Sequence, residues 1–441
     1  MKSLRRPGSI AYNSALNLIG FTVPMIVGLL AVPIITRELG AARFGLLSLA
    51  FAILEYSSLF DLGLGAATTR EVSAAIARRD EGLSTLIAGS VTSQAILGSV
   101  GAVVLVLLSG PLVDRIFDIP AELRGEALAV FRMLALMIPA TVVLLSLRGI
   151  LEAAGRFDLS NGIRIPTSVA TFLVPAVAAS YGYGLPVIVA MLLVTRVLIC
   201  AVMAAAITNI LPGHRWRLSI GWSAMRPLFV FGGWMSLSNI LSPVLVYIDR
   251  FMLAALAGVA AVGYYTAPFD AVMRLLIIPA SLMGAVYPSV SAKLAMKDYR
   301  GIDGVYAEAI RKTLLLVIVP GLVIGIFGPW LLQQWLGAAF ASEALLAVRI
   351  LAVGVFFHAM ARIPSGFINA LGRPDLVAKL NLAEVLVHIP VAWALISRFG
   401  LTGAALAWTL RVTLDAVLLY IVSSGVLRRL DRTPVEVGAP A

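Results

Sequence analysis

The 441-residue chain is poor in charge and almost free of cysteine. Charged residues make up 13% of it, hydrophobic residues 60%, and the mean hydropathy is +0.97. Soluble domains carry about 25% charged residues. So little polar surface excludes a chain that folds in water. The single cysteine, Cys200, excludes an internal disulfide framework and reads as a small packing residue. No GxxxxGK[ST], HExxH, CxxC or nucleophile-elbow pattern occurs. "GLGAAT" at 63–68 has no strand before it and is not a nucleotide loop. The chain therefore has no ATPase of its own, and any pumping draws on an ion gradient or a downhill substrate. Outside the apolar runs no segment exceeds roughly 25 residues, too short for a soluble catalytic domain.

What the chain has instead is long apolar runs. They extend over about 20–28 residues, enough for a helix to cross a hydrocarbon core about 30 Å thick. The short alternating segments of a membrane barrel are absent. Twelve spans are expected, near 10–36, 43–65, 84–109, 127–152, 160–180, 185–207, 227–256, 262–290, 312–335, 345–371, 378–397 and 401–427. Lys2, Arg5 and Arg6 precede a first run too long for the core of a cleaved signal peptide, so it reads as a retained span. The net charge of +11 does not imply nucleic acid, because the basic residues are scattered over short loops. One side collects Arg70, Arg78, Arg79, Arg215, Arg217, Arg226, Lys293, Lys297, Arg300, Arg428, Arg429 and others. The opposite side has only Arg37, Arg43, Arg115, Arg124 and Arg398. A bias of about four to one predicts that both termini are cytoplasmic.

The chain also repeats itself. "LEAAGRFDL" at 151–159 returns as "INALGRPDL" at 368–376, 217 positions later. "SAAIARRD" at 73–80 pairs with "SAKLAMKD" at 291–298, and Gly40 and Gly45 pair with Gly258 and Gly263, at 218. "FRMLA" at 131–135 pairs with "VRILA" at 348–352, and Arg196 with Arg411. Each unit holds six spans, an even number, so both enter the membrane in the same orientation. A pseudo-two-fold axis along the membrane normal is expected, the usual geometry of a carrier that rocks about a central site. The fold class is thus an all-α polytopic membrane protein, with twelve transmembrane helices in two pseudo-symmetric six-helix lobes. The lobes are expected at 1–210 and 227–441, joined by a cytoplasmic linker at 211–226.

Charges that break this symmetry are the better functional candidates. Asp249 and Arg250 lie in span seven, Asp270 and Arg274 in span eight, and the first half lacks all four. An ionisable group at mid-bilayer costs roughly 2.5–3.5 kcal/mol, so these should face one another or a wet cavity. Either they serve a site or they are ion pairs that hold spans seven and eight together. Glu55 and Asp61 in span two also lack counterparts. Glu55 is placed to face Arg274 across the pseudo-two-fold, and Asp61 to cap the inner end of its span. Arg196 and Arg411 sit near the middle of spans six and twelve. Asp415, one turn on, is the expected partner of Arg411; Arg196 has no acid at that spacing and must look to another helix or to water. Arg132 and Arg349 are explained by snorkelling to the interface. Arg362 is the remaining deep arginine. His358 and His388 read as packing residues or, less economically, as proton relays. Gly321 and Gly325 form a GxxxG in span nine, a close helix contact. An excess of arginine over acid suits phosphate, through bidentate bonding at a charge that does not titrate.

"YIDRFMLAALAGVAAVGYYTAPFDAVMRLL" at 247–276 resembles the signature of the polysaccharide-transporter, or oligosaccharide-flippase, branch of the multidrug/oligosaccharidyl-lipid/polysaccharide exporter superfamily. "VPIITRELGAARFGLLSLAFAI" at 32–53, "INALGRPDLVAKLNL" and "RFGLTGAALAWTLR" at 398–411 are similar to the same family. The resemblance implies a flippase that moves undecaprenyl-diphosphate-linked oligosaccharide across the bacterial inner membrane for O-antigen, capsule or exopolysaccharide synthesis. It implies a cationic cavity for the head group, with Asp249, Arg250 and Arg274 at the matching signature. Span one carries no buried charge, unlike the lipid II flippases of the superfamily. Substrate-binding candidates are Arg250, Arg274, Arg196, Arg362 and Arg411; ion-coupling candidates are Asp249, Asp270, Glu55 and Asp61. No cofactor is expected beyond coupling to H⁺ or Na⁺. The expected partners are the lipid-linked glycan, the membrane and glycan polymerase or export machinery, with no nucleic acid. The rivals are a cation-coupled multidrug exporter and a membrane glycosyltransferase or polymerase.

Overall fold

The computed structural model describes residues 10–61, 63–80, 82–211 and 245–431. The expected linker at 211–226 falls outside them except for Leu211, as do the basic N-terminus, the C-terminal tail and most of span seven.

Among the described residues every regular element is a helix, and nine runs are long and apolar enough to cross a membrane. Two of the nine hold two spans each. Ile10–Tyr56 breaks at Gly40 (φ 76°), separating span one from span two. Pro374–Asp431 breaks at Gly400 (φ 53°), separating span eleven from span twelve. Such φ values stop a helix without ending the chain's helical run on either side, and glycine adopts them without a Cβ clash. The remaining spans are three (Leu83–Pro111), four (Arg124–Ala153), five (Phe157–Ser180), six (Leu185–Ile210), nine (Tyr299–Leu336) and ten (Ala338–Ala370). Span eight runs from Gly258 to Ala295, with a 3-10 turn at Arg274–Leu276. Span seven is described as helix over 245–256. The twelve expected spans are thus met, the seventh in part.

Two spans outrun their expected limits. Span two continues through a 3-10 turn (Ser57–Asp61) into Leu64–Arg78, and span nine begins at Tyr299 instead of near 312. The additional residues mix apolar with polar and charged ones, so a hydropathy reading stops where the helix does not.

The repeat is written into the backbone. Positive-φ glycines occur in pairs at Gly40 and Gly258, Gly155 and Gly372, and Gly182 and Gly400. The two non-glycine residues with positive φ, Arg79 and Lys297, are themselves repeat mates. The recurring Gly-Arg-x-Asp is a helix-ending device. Arg156 N–H bonds Leu151 O at 2.9 Å and Gly155 N–H bonds Glu152 O at 3.0 Å. Arg373 and Gly372 bond Ile368 O and Asn369 O at 3.0 Å each. Both pairs satisfy the orphan carbonyls of a helix end in the Schellman pattern. Each arginine then grips the aspartate two residues on with both ends of its fork, Arg156 on Asp158 and Arg373 on Asp375. That is why the phrase appears twice: it turns the same corner twice.

By compactness the chain divides into Met1–Gly263 and Tyr264–Ala441. In the first unit span four packs along span three and also against span six. Its core includes Val72, Ile87, Leu147, Ile150, Leu151, Met203 and Ile207. In the second unit span ten packs along span nine and along the helix of spans eleven and twelve. Its core includes Val290, Ile302, Tyr306, Ile363 and Phe367, and Val290 is the repeat mate of Val72.

Within the first unit, the start of span two crosses the turn at 258–263 at backbone contact. A Cβ on Gly45 would lie 1.8 Å from the Val259 carbonyl oxygen, and one on Gly263 2.3 Å from that of Ala41. Positions 41 and 259, and 45 and 263, are repeat mates at 218. The contact is therefore reciprocal, as a local two-fold axis between them requires. The GxxxG of span nine is different. Gly321 has nothing near it and Gly325 meets only the Ala352 Cβ at 4.0 Å, so no close helix contact forms there.

Candidate functional site

The first unit brings charge together from three helices. Span two supplies Glu55 and Tyr56, span six supplies Arg196, and helix 245–256 supplies Tyr247, Asp249 and Arg250. Glu55 is exposed and interacts electrostatically with both Arg196 and Arg250. Its arginine neighbours in this unit are therefore on spans six and seven. Arg196, which has no acid at helical spacing, finds one on another helix. Arg250 is 5% exposed and Asp249 1%.

Aromatic rings hold this group in place. The Arg250 guanidinium lies over the Tyr247 ring, 5.2 Å from its centroid, a cation–π geometry. Tyr56 meets Phe251 edge-on at 5.3 Å and lies 6.2 Å from Tyr247. Asp249 acts electrostatically on Tyr56. Beside Arg196 is a narrow gap of about 10 Å³, lined by Phe51, Leu54, Thr167, Thr171 and Thr195 among others. The three threonine hydroxyls donate to carbonyls one turn back, at 2.6, 3.1 and 2.8 Å, so only their acceptor lone pairs face the gap. Arg196 is the donor there.

Among the described residues of this group the charges are even. Arg196 and Arg250 are matched by Glu55 and Asp249. Burial explains this: a guanidinium far from water is carried only with a counter-ion nearby. An anionic ligand of this group must therefore displace a carboxylate, not fill a vacant positive site.

The second unit holds another cluster. The Arg411 Nη1 donates to Glu384 Oε2 at 3.4 Å, with the two side chains 8% and 4% exposed. Asp415 lies against Glu384 and interacts with Arg411 and Arg362. The expected partner of Arg411, Asp415, thus shares it with Glu384, which helical spacing within one span does not reveal. Arg362 also acts on His358, whose ring meets Trp408 edge-on at 6.0 Å.

The other candidates are placed apart. Asp61 accepts the Gly65 N–H at 2.9 Å, inside the first turn of Leu64–Arg78, and the Gln94 amide from span three. It closes span two before the break at Gly63 and caps the helix that follows. Asp270 is half-buried in span eight, and Arg274 is exposed where that span tightens into its 3-10 turn. Arg362 is exposed; His388 is buried, 3% exposed. Arg132 and Arg349 are both exposed, as snorkelling requires. The residues that the sequence reading missed are Tyr56, Tyr247 and Glu384. Glu384 carried a signal, since its repeat mate is Thr167 and it breaks the symmetry.

Known proteins resemble the chain in sequence and in fold. Residues 10–293 match the family described as polysaccharide biosynthesis protein, and residues 235–394 match the MatE family. A Shigella flexneri protein assigned as an O-antigen transporter is 32% identical over 416 residues, covering 93% of this chain and 97% of that protein. A Haloferax volcanii protein assigned as a low-salt glycan biosynthesis flippase is 24% identical over 395 residues, covering 88% and 78%. Among solved structures, an inward-facing multidrug resistance MATE family transporter of the MOP superfamily has a TM-score of 0.80 at 16% identity, over 95% of this chain and 99% of that one. A MOP superfamily transporter from Pyrococcus furiosus scores 0.63 at 17% identity, over 95% of each. At such identities the solved structures share the fold.

Proposed function

The chain belongs to the polysaccharide biosynthesis protein family, as a multi-pass membrane transporter and not an enzyme, and we propose that it flips a lipid-linked oligosaccharide from the inner to the outer face of the bacterial inner membrane. The cargo proposed is an undecaprenyl-diphosphate-linked glycan for O-antigen, capsule or exopolysaccharide synthesis. Glycan polymerase or export machinery receives the product, and both termini of the chain are cytoplasmic.

The observation that carries this reading is the guanidinium pair of Arg196 and Arg250 about the exposed Glu55. A diphosphate offers each arginine a bidentate partner and competes with one carboxylate for both. The head group thus replaces Glu55 as counter-ion while the sugar follows it and the lipid stays in the bilayer. Arg274, Arg362 and Arg411 are further cationic candidates in the second unit, the first two exposed. Alternating access then carries the head group across, and H⁺ or Na⁺ resets the carrier. Glu55 and Asp249 stand closest to the arginines; Asp270 is a further acid for coupling. Asp61, committed to Gly65 and Gln94, is the weakest candidate for it.

The MATE-like fold also supports a second reading, a cation-coupled drug exporter. A cationic drug needs acids that no arginine already neutralises, and Glu55 stands among Arg196 and Arg250. The test is complementation of a strain that lacks its O-antigen flippase. The chain should restore surface glycan, and Arg196→Ala and Arg250→Ala should each abolish it at normal protein levels. Restored drug resistance without glycan, or full glycan export by both variants, would overturn the reading.

A further inference from the structure

The buried cluster of the second unit has more acid than its hydrogen bonds use. Glu384 is 6% and Asp415 8% exposed, and their carboxyls face one another. Arg411 reaches Glu384 Oε2. Glu384 Oε1, Asp415 Oδ1, Arg411 Nε and His358 Nδ1 are all buried and have no hydrogen-bond partner. A buried polar atom without a partner is costly, so two acceptor oxygens left over in a facing carboxyl pair point to something that completes it.

The chemistry of the site selects what that is. Two carboxylates in contact in a dry site cannot both stay ionised cheaply. A proton placed on one turns it into a donor, and the O–H then bonds the other carboxylate. The pair becomes a single negative charge, which the bonded Arg411 balances. A metal cation fits poorly. It would bring a full positive charge beside Arg411 and Arg362, and among the described residues no group of three or more His, Cys, Asp or Glu is placed to hold one. The charged groups that act on the pair are Arg411 on span twelve and Arg362 on span ten, which both also act on His358, and the buried His388 lies one turn from Glu384 on span eleven. On the span of Arg411 and Asp415, Trp408 is 1% exposed and its ring meets that of Phe269 at 5.1 Å. The repeat isolates the function further. Arg411 has the mate Arg196, but Glu384 and Asp415 correspond to Thr167 and Cys200. The first repeat keeps the arginine and lacks the acid pair.

We propose that Glu384 and Asp415 form a proton-binding site in the second unit, and that one proton bound and released there couples to translocation. The coupling role rests on the transporter reading above; the site itself does not. The step is balanced: a proton leaves hydronium to form a carboxyl O–H, and the same O–H later returns it to water.

The test is infrared difference spectroscopy of the full-length protein in lipid, titrated with pH, alongside the glycan-export assay. A protonated-carboxyl band should appear in the wild type and vanish in both Glu384→Gln and Asp415→Asn, and both variants should lose export at normal protein levels. A wild type with no titrating carboxyl band overturns the site, whether or not either variant folds. So does a band that persists in both variants, or one that Na⁺ removes at fixed pH. Loss of the band with normal export overturns the coupling. Failure of the flippase reading shows differently, as a wild type that exports no glycan while its band still titrates.

Discussion

Asp298 turns a corner between spans eight and nine. Its carboxylate accepts the Lys293 ammonium at 2.8 Å and the Gly301 N–H at 2.9 Å, and caps the helix that begins at Tyr299. The Lys293 hydrogen bond, with the Gly301 N–H, holds this carboxyl below the usual carboxylate range. A lowered value means that the folded chain favours the ionised form. The stability it contributes is present above the ordinary value of about 3.9 and is lost as pH falls through the lowered folded value. Thermal unfolding should therefore show Asp298→Ala less stable than the wild type at neutral pH, with the gap closing as pH drops below about 4. An equal gap at all pH would contradict the cap. Asp80, its repeat mate, accepts the N–H of Gly82, two residues on, at 2.7 Å. These corners were legible as repeated letters; their physical meaning, a left-handed residue followed by a capping acid, needed the backbone.

Among elements, the crossing at Gly45 and Gly263 and the GxxxG of span nine make a useful contrast. Both show paired glycines in sequence. Only the first is a close approach, because only there does a carbonyl stand where a Cβ would go. Gly45→Val forces the backbones apart, and overpacking of this kind costs about 1–3 kcal/mol. Gly321→Ala fills open space and removes a flexible helix residue, worth up to about 1 kcal/mol in its favour. Thermal unfolding in the same detergent should rank them accordingly: Gly45→Val clearly below wild type, Gly321→Ala at or above it. A tolerated Gly45→Val would mean that the crossing is looser than described. Spacing along one helix told the two apart poorly, since the difference lies in what the other helix presents. The same limit hid Glu384. It meets Arg411 from a different span, 27 positions away, beyond any i, i+4 rule.

At the scale of the whole molecule, composition and repeat carried most of the fold. Hydropathy located the spans, and the duplicated corners recur as matched φ values at residues 40 and 258, 79 and 297, 155 and 372, and 182 and 400. The candidate site was legible only in its arginines. Asymmetry drew attention to Glu55, Asp249 and Arg250, which do lie together. Their balance was not legible, because counting charges in a sequence does not say which of them share a space. That balance changes the proposed mechanism from filling a positive cavity to exchanging one anion for another. The most direct test uses the purified protein in vesicles that contain a fluorescent undecaprenyl-diphosphate oligosaccharide on one leaflet. The chain should move the glycan to the opposite leaflet, where a lectin or reducing quencher reaches it, and Arg250→Ala should stop it. Transfer no faster than in protein-free vesicles, or undiminished transfer by Arg250→Ala, would contradict the account.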